Sequence, residues 1–163
     1  MKVLKYLVIA LTIISISGCA VLQEPKIEKH ETIDNYKYVA IPATSTKVSS
    51  TAGFYGGQYW TYGESTSKEL HPSAVIEGIL LKKGLISVSE IRPEMVDKTL
   101  IVKYGESGKR YAAGGLGGYT LEVTIVLISA RTHNTIYSCT AEGQGETEVD
   151  DIRMAITRCL SGL

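Results

Sequence analysis

The chain has 163 residues, 44% hydrophobic and 21% charged, with 17 basic residues against 17 acidic ones. It is long enough for one domain with a real core. With no basic surplus, it offers no support for the clustered positive face of a nucleic-acid binder. Ten Tyr stand against one Phe and one Trp, a bias that suits half-exposed strands and contact surfaces.

The first element is a targeting segment. Lys2 and Lys5 give a positive start, and Leu4 to Ile16 is apolar apart from Lys5 and two small hydroxyls. The run is shorter than the roughly 20 apolar residues of a bilayer span and has the layout of a signal peptide. Its ending, Ile16-Ser17-Gly18-Cys19, resembles the lipobox of bacterial lipoproteins. That resemblance implies cleavage before Cys19 and lipid on the sulfur and new amino group of Cys19. Several acyl chains on one residue anchor a protein stably. Ala20 stands where Asp would imply inner-membrane retention. The implied location is therefore the outer membrane, facing the periplasm, or the plasma membrane of a Gram-positive source. Loss of residues 1–18 removes Lys2 and Lys5, which leaves 15 basic residues against 17 acidic ones and a net charge of about −2.

Residues 19–34 follow as lipidated Cys and flexible tether. Glu24, Pro25, Lys26, Glu28, Lys29, His30 and Glu31 are polar, mixed in charge and without period. Such a tether spans on the order of 20 Å. Residues 35–163 then form a single domain. Tyr36 to Ile41 alternates and stops at Pro42, as a strand does. Residues 44–66 are rich in Ser, Thr, Gly and Tyr, which predicts a loop or hairpin. Within them, Phe54, Tyr55, Tyr59, Trp60 and Tyr62 are spaced by glycines. They are either a candidate contact loop, able to meet a protein, a sugar ring or a membrane interface, or a small core over one end of the sheet.

A helix is predicted from Pro72, which suits the first turn, to Gly84, which suits the position after the last turn. Val75, Ile76, Ile79 and Leu80 recur at helical spacing. Gly78 inside it costs about 1 kcal/mol relative to Ala or marks close packing. Leu85 to Val88 is a short strand and Thr99 to Tyr104 another, followed by a polar turn from Gly105 to Lys109. Glycine-rich residues 112–118 lead into the longest strand. There Leu121, Val123, Ile125 and Leu127 take one phase and Thr120, Glu122 and Thr124 the other, the pattern of a half-buried antiparallel strand. A turn at Arg131 to Asn134 returns a strand with Tyr137, Cys139 and Ala141 in phase. The last helix runs from about Glu148 to Leu160, capped by Thr147, with Ile152, Ile156, Cys159 and Leu160 on one face.

These elements predict an α+β fold: a two-layer sandwich with a mostly antiparallel sheet and two helices on one face. The runs Gly84 to Val88 and Asp97 to Tyr104, with the long hairpin and closing helix, resemble small bacterial envelope lipoproteins of unknown function. Their domain is similar to the periplasmic modules of the TolB N-terminal and penicillin-binding-protein-activator type. The resemblance spans roughly residues 36–163. It rests on pattern and carries over no functional residue.

No set of residues carries catalytic chemistry. His30, His71 and His133 lack a second ligand at metal spacing, so no metal is expected. No nucleophile elbow is present. Gly114 to Gly118 lacks the Lys and the following helix of a phosphate loop. Glu146, Glu148, Asp150 and Asp151 suit the positive end of the last helix. With Cys19 acylated, Cys139 and Cys159 are either a disulfide or two buried thiols. The reading is a non-enzymatic binding or accessory module without catalytic residues or cofactor, anchored to the membrane through Cys19. Its partners would be an envelope protein or peptidoglycan. The alternative is a structural lipoprotein that forms homo-oligomers within an envelope assembly.

Overall fold

Leu121, Val123, Ile125 and Leu127 are fully buried, as are Tyr137, Cys139 and Ala141 of the next strand. Alternation on two paired strands therefore builds one wall of the core. The computed structural model describes residues 21–57, 60–111 and 118–163, and for 51–57 and 60–66 the backbone alone. In chain order the elements are β1 (Lys26–Lys29), β2 (Tyr38–Ala40), β3 (Lys47–Gly57), β4 (Trp60–Leu70), α1 (Pro72–Lys82), β5 (Ile86–Val88), β6 (Thr99–Tyr111), β7 (Tyr119–Ser129), β8 (Thr135–Gly143) and α2 (Glu148–Ser161). Short 3-10 stretches cover Ile33–Asn35 and Pro93–Lys98.

The main sheet has the order β1-β8-β7-β6-β2-β5, and β3 and β4 pair as a separate two-stranded sheet. The fold is α+β, as the pattern predicts. The sheet is mixed, however: β2 runs parallel to both β5 and β6, while β1, β8, β7 and β6 pair antiparallel. The parallel pairing follows from the β2-to-β5 connection, which passes through the hairpin and α1 and so returns the chain in its original direction.

Helix α1 buries Ile76 and Leu80 with Val75 and Ile79 packed beside them. It ends at Gly84, whose φ of 88° only glycine adopts without strain. A Cβ at Gly78 would meet nothing within 4 Å, so this glycine does not mark close packing. Helix α2 buries Val149, Ile152, Ile156, Cys159 and Leu160 against the sheet. Thr147 Oγ1 accepts from the Asp150 N–H at 3.3 Å, and the Asp150 carboxylate accepts in return from the Thr147 hydroxyl and backbone N–H. Asp150 thus completes the capping box. The helix sits so close to β8 that a Cβ on Gly143 would overlap the Asp151 carbonyl.

Three boundaries depart from the sequence pattern. Lys26–Lys29, expected in the tether, pair with β8 from Lys26↔Thr140 to Lys29↔Tyr137; a polar strand with all four residues exposed has no periodicity to betray it. Gly105 to Lys109, expected as a turn, continue β6, with a bulge between Glu106 and Gly108. The bulge absorbs the residues that read as breakers. The loop or hairpin expected over residues 44–66 is a hairpin that runs on to Leu70: residues 47–57 and 60–70 pair in register along 11 residues each.

Candidate functional site

The residues singled out by the sequence fall in three places. Cys19 lies outside the described residues. Tyr59 does too, and for Phe54, Tyr55, Trp60 and Tyr62 the backbone alone is described: Tyr55 is registered opposite Tyr62, and Gly57 opposite Trp60, at the turn end of β3–β4. The candidate contact loop is therefore the far part of a hairpin. Of Gly114 to Gly118, only Gly118 is described, with φ 77°.

Cys139 and Cys159 are brought together. Their sulfurs lie at disulfide-bonding distance with Cα atoms 5.5 Å apart, tying β8 to α2 in the middle of the core. The buried Tyr137 hydroxyl donates to the Cys159 carbonyl at 2.5 Å beside them. Phase explains the meeting: Cys139 is on the inward side of its strand and Cys159 on the inward face of its helix.

The acids at the start of α2 are all engaged by neighbouring groups, and two of them, Glu146 and Asp151, line a small cleft with Gly118, Tyr119 and Gln144. Lys68 of β4 reaches Asp150 at 2.7 Å and Glu146 at 3.7 Å, and Lys109 of β6 reaches Glu148 at 2.8 Å. Lys68 holds the Asp150 carboxyl below its usual range, with help from Thr147. Burial instead pushes Asp151 upward, and its carboxylate accepts the Gly145 N–H. Ser49 Oγ accepts from the Val149 N–H at 3.3 Å, and Lys47 reaches Glu106 at 2.9 Å. These contacts seat the base of the hairpin on the start of α2 and on β6. Among the described residues no group of three or more His, Cys, Asp or Glu is placed to hold a metal ion. His30 lies beside Glu28 and His71 beside Glu69, on different elements.

A cluster that sequence reasoning missed sits on the other face of the sheet. Glu142 of β8 is 5% exposed. Arg110 of β6 grips it at both oxygens, Nε to Oε1 and Nη2 to Oε2, each at 2.7 Å. The Gln23 N–H donates to Oε2 at 2.9 Å. Arg158 of α2 donates to the Glu142 carbonyl and to the Gln23 carbonyl, both at 2.7 Å. Arg110 also donates to the Val21 carbonyl at 3.2 Å. The Arg110 guanidinium holds the Glu142 carboxyl at about 2. A bidentate, charge-assisted pair is among the stronger polar contacts. The only signal in the sequence is that Glu142 is the one charged residue of β8; its partners are 32 and 16 residues away, too far for any local pattern.

The same face carries an apolar row. Val88, Ala40, Ile101 and Ile128 lie directly opposite one another across β5, β2, β6 and β7. Their neighbours in sequence, Val39, Leu100, Val102 and Leu127, point into the core, so the row faces away from the helices. Its residues are partly buried, with Val126 beside them and Ile86 46% exposed at the margin. No helix of the described residues is long and apolar enough to cross a membrane.

These features define a small two-layer α+β domain with an open sheet face and a hairpin arm. No family model and no curated protein matches the chain. Among solved structures, the fold is similar to that of the PelC dodecamer from Paraburkholderia phytofirmans. The TM-score is 0.52 and the identity 13%, over 88% of this chain and 98% of that one. At that identity the likeness is one of fold.

Proposed function

We propose that this chain is an envelope lipoprotein, acylated on Cys19, that acts as a non-enzymatic accessory module and assembles with copies of itself. The observation that carries the reading is the apolar row Val88, Ala40, Ile101 and Ile128 on the open sheet face. A contiguous apolar surface of this kind marks an interaction site. The occupant proposed is a second copy, because the similar fold of PelC forms a dodecamer. Glu148 and Asp150 are engaged in ion pairs and the cap, and Asp151 by the Gly145 N–H, which favours an accessory role over hydrolysis. The lipobox ending at Cys19, followed by Ala20 rather than Asp, supports an anchor in the outer membrane facing the periplasm, or in the plasma membrane of a Gram-positive source. The aromatic run from Phe54 to Tyr62, on a hairpin that forms its own sheet, is the surface proposed for an envelope protein or peptidoglycan.

Sedimentation velocity on the soluble domain and on Ile101→Lys/Ile128→Lys tests the assembly. A species larger than a monomer that dissociates in the double variant, with unchanged circular dichroism, supports it. A monomer at all concentrations overturns it. Intact mass of the membrane fraction tests the anchor: acyl chains on Cys19 and loss of residues 1–18 are expected, and Cys19→Ala abolishes both.

A further inference from the structure

A tether needs no contacts with its own domain, yet residues 21–23 are held at three points. Arg110 takes the Val21 carbonyl, Glu142 the Gln23 N–H, and Arg158 the Gln23 carbonyl. Burying a carboxylate at this place is costly unless it is paired; Arg110 supplies the pairing at both carboxylate oxygens, and Arg158 ties the backbone carbonyls of Glu142 and Gln23 together. Immediately beyond, Lys26–Lys29 join the sheet edge. The clamp and this short edge strand together hold the segment down, and the clamp is the part that holds residues 21–23, ahead of the strand.

We infer that Arg110, Glu142 and Arg158 form a clamp that fixes the orientation of the domain on its membrane, with the Arg110 corner in the lipid headgroup layer. The inference rests on the reading of Cys19 as acylated. Only Ala20 separates Cys19 from Val21, two residue steps and at most about 7 Å of chain, comparable to the depth of one headgroup layer. Val21 is 84% exposed, and Tyr111 beside Arg110 is 66% exposed. The 11 residues of β7 lead away from this corner over about 35 Å. The turn at Arg131 to Asn134 therefore lies at the far end, and the open sheet face stands beside the bilayer rather than against it.

The test uses the full acylated protein in phosphatidylethanolamine/phosphatidylglycerol vesicles that contain nitroxide-labelled lipid. A fluorophore is attached at Tyr111→Cys or at Thr132→Cys. Quenching at Tyr111→Cys should be roughly threefold or more that at Thr132→Cys, given a separation of about 35 Å. Arg158→Ala/Glu142→Ala should bring the two values together. So should a flexible Gly-Ser insertion after Ala20, which leaves every clamp contact in place and keeps the test valid if the double variant misfolds. Equal quenching at both sites in the acylated parent, or an unchanged difference after the insertion, overturns the clamp. Absence of acyl mass on Cys19, with neither site quenched, overturns the anchor reading and the orientation with it.

Discussion

Glu142 shows how one side chain can join three segments. Its pKa falls from 4.5 to about 2, chiefly through the hydrogen bonds from Arg110. A carboxyl depressed in the folded state contributes stability above its unfolded pKa and loses it as the pH falls through the folded one. The contribution is therefore complete above about 4.5 and lost between there and about 2. Urea midpoints measured across that window should fall steeply for the parent and less steeply for Glu142→Gln. An identical slope would mean that Glu142 is not ionised in the clamp. Two glycines make a contrasting pair. Gly78→Ala adds a methyl in open space and should raise stability by about 0.5–1 kcal/mol. Gly143→Ala drives a methyl into the Asp151 carbonyl and should cost about 3 kcal/mol or more, because α2 must shift from β8. Thermal melts of both check this; a destabilised Gly78→Ala would mean that the open space is filled by another surface.

At the scale of elements, β8 and α2 are the pair on which the core turns. The Cys139–Cys159 link closes a separation of 20 residues, worth about 3 kcal/mol in the chain-entropy picture. Reductant, or Cys139→Ala/Cys159→Ala, should lower the melting temperature by on the order of 10 °C. Thiol labelling of the native protein without reductant would sink this prediction. The two helices were legible in the sequence because their signals are local: Thr147 capping α2, Pro72 opening α1, Gly84 closing it, and apolar residues at helical spacing. The alternation of β7 was legible for the same reason. β1 was not, since Lys26–Lys29 are all exposed and owe their conformation to pairing with β8. The end of β6 was missed because Gly105 and Gly108 carry the signature of a turn, and only the partner strand β7 makes them a bulge.

For the molecule as a whole, the open sheet face is the feature with the widest consequence. If copies of the chain cover the row Val88, Ala40, Ile101 and Ile128, binding is linked to folding and the melting temperature rises with protein concentration. A concentration-independent melt from micromolar to hundreds of micromolar would argue that this face meets something other than a second copy. Fold class, both helices and the inward phases of Cys139 and Cys159 were determined by the sequence alone. Each of these depends on residues within a few positions of one another, where helical or strand period and capping chemistry act. The parallel placement of β2, the seating of the hairpin on α2, the clamp on residues 21–23 and the apolar row were decided only by the tertiary structure. They join residues tens of positions apart, and what brings such residues together is the burial of the shared core, which no local pattern records.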